Sequence, residues 1–411
     1  MALQISATNP EHPALLLELP WHLPLQEWPE QYLVPLPRGI SRHVVRYARA
    51  GDEVIAVKEL ARRPALREYE LLRDLDRIGI PAVDPLAVVT GRAGTGGEPL
   101  ESVLITRHLS GSMPYRSMFE TTLRPATMHR LMDALAVLLV RLHLAGFAWG
   151  DCSLSNTLFR RDAGAYAAYL VDAETGELHP ELSPGQRAYD LDLARVNISG
   201  ELLDLEASGA LHPSVDPIGF GTEICARYEG LWRELTRTSV YPAGKYHYIE
   251  RRIRRLNDLG FDVAEMQIEH ASHGDTVTFV PKVVDAGHHQ RQLLRLTGLD
   301  AEENQARRLL NDLESWMATQ DDYTPDGALP GARPEVLAHR WVREVFRPTV
   351  RAVPPGLRGA MDQAEIYHEL LEHRWYLSER AQHDIGLDTA VEDYIRNILP
   401  KARETLRPTT D

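Results

Sequence analysis

The sequence predicts an α+β fold: a strand-rich first hundred residues with one helix, a helical middle segment broken by one hairpin, and a mainly helical C-terminal domain with a small β-hairpin. Three observations lead to it. "HVVRYAR" and "VIAVKEL" flank the turn "AGDE", a hairpin signal. "ATMHRLMDALAVLLVRLHLAG" carries Leu131, Leu135, Leu138, Leu139 and Leu142 at helical spacing, and Gly146 ends it. "DVAEMQIEHA" and "DTVTFVPKVV" form a strand pair around "SHGD", inside a half otherwise made of charged amphipathic helices.

In chain order, residues 32–58 read as three short strands. A helix runs from about Pro64 to Ile78, stops at Gly79, and has Pro81 beyond it. "AVDPLAVVT" and "SVLITRHL" are two more strands joined by the loop "GRAGTGGEP". After the Leu-rich helix, "TLFRR" and "AAYLV" flank a turn at "DAGA", and a further helix begins near "YDLDLARV". "DDYTPDGALPGARP" divides the C-terminal half, and "DIGLD" separates its last two amphipathic helices.

Composition narrows the functional classes. The formal net charge of −14 over 411 residues argues against a general nucleic-acid binder, which needs basic surface against phosphates. No apolar run reaches membrane-spanning length, and "MALQISATNPEHP" lacks a basic segment followed by an apolar core, so neither a membrane span nor a signal peptide is expected. Two cysteines, Cys152 and Cys225, fit a reducing cytoplasm and give no metal-site spacing. Only Lys58, Lys245, Lys282 and Lys401 are lysines among 45 Lys and Arg, which singles out a Lys as a candidate for work needing a compact ammonium.

The chemistry concentrates in "FAWGDCSLSNTLF", residues 147–159. With the hairpin turn centred on Gly164, residues whose numbers sum to 328 face each other, so Asn156 is expected opposite Asp172. Asp151 enters the same end of the hairpin. Two carboxylates and an amide oxygen suit a hard cation such as Mg²⁺ held together with substrate phosphates. Upstream, Lys58 ends a strand. On the next helix, at 100° per residue, Glu68 lies in the middle of the apolar face of Leu71, Leu72 and Leu75, while Glu70 shares the opposite face with Arg73, Asp74 and Arg77. A carboxylate on an apolar face is costly unless paired, and Lys58 is the nearest cation.

A strand Lys in "VAVK" form, a helix Glu, an Asp-x₄-Asn loop and an Asp ending a hairpin, in this order, resemble the protein-kinase-like fold. Trp149-Gly150-Asp151 stands for the His-Arg-Asp of the catalytic loop, and "LVDAE" for the Asp-Phe-Gly segment. The pattern is similar to the atypical branch: RIO kinases, lipopolysaccharide core sugar kinases and aminoglycoside phosphotransferases. The whole chain resembles an uncharacterised actinobacterial family that joins a lipopolysaccharide-kinase-like half to a domain of unknown function. The resemblance implies an extension at 1–29, an N-lobe at 30–108, a C-lobe at 109–240 and a separate domain at 241–411.

It also implies residue roles. Lys58 contacts the α/β-phosphates and pairs with Glu68; Asp151 receives or orients the attacking hydroxyl; Asn156 and Asp172 hold Mg²⁺. Arg107, His108 and Leu109 form the hinge facing adenine. The phosphate-covering loop has one glycine, Gly39, with Ser41, Arg38, Arg42 and His43 as further phosphate contacts. Asp190 or Asp192 braces the catalytic loop, with Asp192 preferred. The implied function is ATP- and Mg²⁺-dependent phosphotransfer to a hydroxyl of a sugar, glycan or other small molecule in the cytoplasm. The alternatives are a nucleotide-binding pseudokinase engaging a protein partner through its C-terminal domain, and a protein kinase or AMP-transferase. Glu369 and His373, four apart, attract attention as metal ligands but lack a third and read as helix-surface residues.

Overall fold

The computed structural model describes residues 3–8, 16–36, 42–51, 53–119, 125–237, 239–242, 251, 261–270, 276–320, 333–358, 361–381 and 383–399. The chain divides into two compact units, one of residues 1–160 and 167–236, the other of residues 161–166 and 237–411.

The first unit has two lobes. Its N-terminal lobe is a five-stranded antiparallel sheet in the order β1-β4-β5-β3-β2, built from β1 (Gln4–Ala7), β2 (Val44–Ala50), β3 (Glu53–Leu60), β4 (Pro85–Thr90) and β5 (Ser102–Arg107). The β2–β3 turn comes where "AGDE" predicts it, with Ala50 facing Glu53. Of the three strands expected over 32–58 the first is reduced to a single bridge, Leu33 to Ala48. Helix α1 (Arg62–Arg77) crosses the sheet and buries Ala65, Glu68, Tyr69, Leu72 and Leu75, one face at spacing three and four.

The described residues of the 1–29 segment pack into this lobe. β1 adds an edge to β4, and Leu16, Leu19, Trp21, Leu25 and Trp28 share a core with Ile55, Val57, Val89 and Ile105. The guanidinium of Arg92, 2% exposed, fixes the segment from inside. It donates to the Trp21, Leu23 and Glu101 carbonyls and to Glu59 Oε1 at 2.5–3.1 Å, so a buried charge is fully partnered.

The C-terminal lobe is helical around a small sheet. After β6 (Ser112–Pro114) and α2 (Tyr115–Phe119), the Leu-rich α3 (Pro125–Leu144) buries Leu131, Leu135, Leu138, Leu139 and Leu142. Then come β7 (Phe147–Ala148), the hairpin β8 (Thr157–Asp162) and β9 (Ala165–Leu170), and β10 (Glu177–Leu178), which pairs with β7. Helix α4 (Pro184–Ala207) starts earlier than "YDLDLARV" predicts, because Ser183 and Gln186 form a capping box. Helix α5 (Pro217–Thr236) closes the unit.

The hairpin register differs from the expectation by one residue. Ala163 and Gly164 both have positive φ, 50° and 79°, forming a two-residue turn of the type that matches strand twist. Val171 N–H accordingly donates to Asn156 O at 3.0 Å. Asn156 therefore faces Val171, and Asp172 lies one residue beyond.

The second unit carries β11 (Ser239–Pro242), β12 (Phe261–His270) and β13 (Thr276–Ala286) in the order β11-β13-β12, so the expected hairpin has a third strand. Helices α6 (His288–Thr297), α7 (Glu303–Met317), α8 (Pro334–Trp341), α9 (Arg347–Ala352), α10 (Gln363–Ala381) and α11 (Leu387–Asp393) follow. Leu309, Leu313, Leu337, Trp341, Phe346, Tyr367 and Leu370 form its core, and Asp312 accepts from both Trp341 Nε1 and the Tyr367 hydroxyl.

Candidate active site

The site is assembled from β3, α1, the loop between β7 and β8, and the segment after β9. Lys58 projects from β3 between two carboxylates. Its Nζ donates to Glu68 Oε2 at 2.9 Å, to Glu68 Oε1 at 3.1 Å and to Asp172 Oδ2 at 2.7 Å. Glu68 is wholly buried, as a carboxylate on the apolar face of α1 must be. Burial, with the Asp172 charge beside it, pushes Glu68 up to about 7. Burial also works against the Lys58 charge, but Glu68 and Asp172 outweigh it and hold the ammonium above its ordinary value. Asp172 is held below the usual carboxylate range, Lys58 prevailing over burial.

Asp151 is held by two amides. Asn156 Nδ2 donates to its main-chain oxygen at 3.0 Å and to Oδ2 at 3.1 Å, and Asn197 Nδ2, from α4, donates to Oδ1 at 3.1 Å. Burial raises the Asp151 carboxyl, opposed by Arg42, whose guanidinium lies 4.0 Å away, and by Asn156. Both hydrogens of the Asn156 amide are spent on Asp151.

The loop is fixed from α4. Asp190, 2% exposed, accepts from Trp149 N at 2.9 Å and Gly150 N at 2.7 Å, and lies 2.9 Å from His143 Nε2. The expectation preferred Asp192. That residue is exposed and, among the described residues, pairs with Arg195, so Asp190 is the brace. Glu201, one helical face further along, accepts from Leu154 N, Ser155 N and the Ser155 hydroxyl. Trp149 Nε1 ties the loop to Asp172 O at 2.8 Å, and Glu174 N–H donates to Asp172 Oδ1 at 3.0 Å.

Sequence reasoning missed three contributors. Glu174, read only as a replaced glycine, places a carboxylate oxygen within 4.8 Å of those of Glu68 and Asp172, and contacts His43 Nε2 at 3.1 Å. Asn197 and Glu201 follow Asp190 by seven and eleven residues, which puts all three on one stripe of α4, a periodicity legible in the sequence. Carboxylates and an amide oxygen are the donors a hard divalent cation takes. Three carboxylates against one ammonium leave negative charge that such a cation would neutralise, so the residues fit Mg²⁺.

At the hinge, Arg107 N–H donates to Asp84 O at 2.9 Å and His108 N–H to Val54 O at 3.0 Å. Both amides are thus spent in the sheet, and the Arg107 side chain turns to Glu53 and Asp84. The His108 ring packs edge-on to Tyr47, and burial lowers its pKa. Leu109 is the residue of the three whose main-chain N–H is not committed there. Gly39, Ser41 and Arg38 lie outside the described residues. Cys152 is fully buried with its thiol pushed well up, an inert loop residue. Glu369 and His373 share no ligand: Glu369 accepts from the Tyr394 hydroxyl, and His373 pairs with Asp393.

Residues 52–209 match the model of the lipopolysaccharide kinase (Kdo/WaaP) family. Residues 230–399 match that of a domain of unknown function, DUF4032. The two-lobed unit is thus an atypical kinase-like fold, and the second unit carries the other domain. Among solved structures, the chain is similar to one described as WaaP in complex with acyl carrier protein, at 13% identity and a TM-score of 0.37, over 62% of this chain and 99% of that one. No curated protein matches. No helix among the described residues is long and apolar enough to cross a membrane.

Proposed function

We propose that the protein is a phosphotransferase that moves a phosphoryl group from ATP, with Mg²⁺, to a hydroxyl of a sugar, glycan or other small molecule. The observation that carries this reading is Lys58 held between Glu68 and Asp172, with Asp151 and Asn156 on the adjoining loop.

In this reading each residue has a defined role. Glu68 orients Lys58, whose ammonium neutralises phosphate oxygens of the nucleotide. Asp172 and Asn156 hold the metal, with Glu174 as an added carboxylate. Mg²⁺ supplies charge neutralisation at the transferring phosphate and fixes its orientation. Asp151, its oxygens aimed by Asn156 and Asn197, takes up the proton of the attacking hydroxyl. Leu109 offers main-chain groups to adenine, and Arg42 and His43 reach toward the phosphates. The lipopolysaccharide-kinase match favours a sugar or glycan acceptor.

Glu174, in place of the usual glycine after Asp172, also suits a second reading, a nucleotide-binding module without turnover. One assay separates them. Wild type and Asp172→Asn are compared for Mg²⁺-dependent ATP turnover with cell metabolites as acceptors, and for thermal shift with Mg²⁺ and ATP. We expect turnover in wild type, a fall of roughly two orders of magnitude in the variant, and a phosphorylated product. A thermal shift without turnover favours the non-catalytic reading, absence of both would overturn the enzyme, and an AMP-bearing product would reassign the transferred group.

A further inference from the structure

Arg161–Tyr166, the tip of the β8–β9 hairpin, belongs to the second compact unit although the strands below it belong to the first. The contacts that place it there are buried and polar. Asp162, 3% exposed, lies against the N-terminus of α7, accepting from Gln305 N at 2.8 Å, Asn304 N at 3.2 Å and Asn304 Nδ2 at 2.9 Å. A helix N-terminus offers unpaired N–H groups and partial positive charge, which suits a carboxylate. Gln305, wholly buried, donates from Nε2 to Arg161 O at 3.1 Å and to Glu365 Oε2 at 2.8 Å, while its Oε1 accepts from Glu302 N. Glu365, on α10 and 3% exposed, accepts from Ala163 N at 3.1 Å.

The turn itself needs this support. Ala163 is the one described non-glycine residue with positive φ, a conformation that costs an L-residue about 1–2 kcal/mol. A turn held in this form sets the hairpin register. Below the tip, that register places Asn156 against Val171, next to Asp172.

We propose that α7 and α10 of the second unit act on the candidate active site by holding the hairpin tip, with Asp162, Gln305 and Glu365 as positioning residues for Asn156 and Asp172. This rests on the phosphotransferase reading for what the positioned residues do, and on the geometry alone for the grip. The domain of unknown function would then serve to fix the spacing of the metal-holding pair.

The test uses the full chain and three variants. Asp162→Ala and Gln305→Ala remove the grip, and Leu313→Ala loosens the core of the second unit without touching the tip. Hydrogen exchange is followed in peptides covering 154–160 and 167–174. The Mg²⁺ concentration giving half the ATP-induced thermal shift is measured alongside. We expect at least about tenfold faster exchange in these peptides, and a several-fold higher Mg²⁺ requirement, in Asp162→Ala and Gln305→Ala but not in Leu313→Ala. Exchange unchanged in the first two, or raised equally in all three, would overturn the inference. If wild type shows no nucleotide shift and no turnover, the phosphotransferase reading falls, while the exchange arm still decides the grip.

Discussion

Removing the Lys58 ammonium leaves two carboxylates, one wholly buried, without a cation. Lys58→Met should therefore lose about 3–5 kcal/mol of stability as well as nucleotide binding. Replacing the buried partner too, in Lys58→Met/Glu68→Leu, should restore much of the stability and none of the binding. Denaturant melts and nucleotide thermal shifts of both variants check this; a single variant as stable as wild type contradicts it. The same contrast applies to the two candidate braces. Asp190→Ala strands the Trp149 and Gly150 amides and His143, and should cost roughly 3 kcal/mol. Asp192→Ala removes an exposed pair with Arg195 and should stay within about 0.5 kcal/mol. Lys58 and Glu68 were legible because helical phase puts Glu68 on an apolar face where only a paired carboxylate survives. Asp190 was legible by the same rule: Asp190, Ala194, Ile198 and Leu202 form the buried stripe of α4, and Asp192 falls off it. Preferring Asp192 ignored that phase.

At the scale of elements, the hairpin shows why register escapes a sequence. A turn centred on one glycine and a two-residue turn differ by a single position in "DAGA". Only the left-handed Ala163, an unusual residue there, decides between them. Its neighbour Asp162 gives the hairpin a pH signature. Burial pushes its carboxyl from an ordinary 3.8 up to about 6, against the N–H groups of Asn304 and Gln305. A folded value above the unfolded one means the folded chain binds the proton more tightly. The contribution to stability is complete below about pH 4 and is lost as pH rises through about 6. Asp162→Asn removes that loss. The gap in melting temperature between the variant and wild type should shift in the variant's favour from about pH 4 to pH 7. A gap independent of pH would refute the assignment. Arg92 is the matching element-level test in the other lobe. Arg92→Met should loosen residues 16–28 and cost about 3 kcal/mol, since Glu59 and three carbonyls lose a buried donor.

For the whole molecule, the contact that sequence could least foresee is also the one that decides how it comes apart. Asp162 meets Asn304 and Gln305 across more than 140 positions of chain, and no periodicity or spacing links them. The second unit is consequently discontinuous: a cut at Thr236 removes residues 161–166 from it. A fragment of residues 237–411 keeps the aromatic core of Trp341, Phe346 and Tyr367, so it should retain helical structure. It would nonetheless keep Gln305 and Glu365 bonded to each other but without Arg161 O and Ala163 N, their partners at the tip, and its α7 N-terminus would be without Asp162. Each such unsatisfied polar group costs about 1–3 kcal/mol, a large part of a domain's net stability. The fragment should therefore melt well below the corresponding transition of the full chain, and its Asn304 amide, which donates to Asp162 in the full chain, should exchange faster than there. Adding a peptide of residues 157–170 should recover part of the loss, in proportion to its concentration. A fragment as stable and as protected at α7 as the full chain would show that the tip adds nothing to the unit that encloses it.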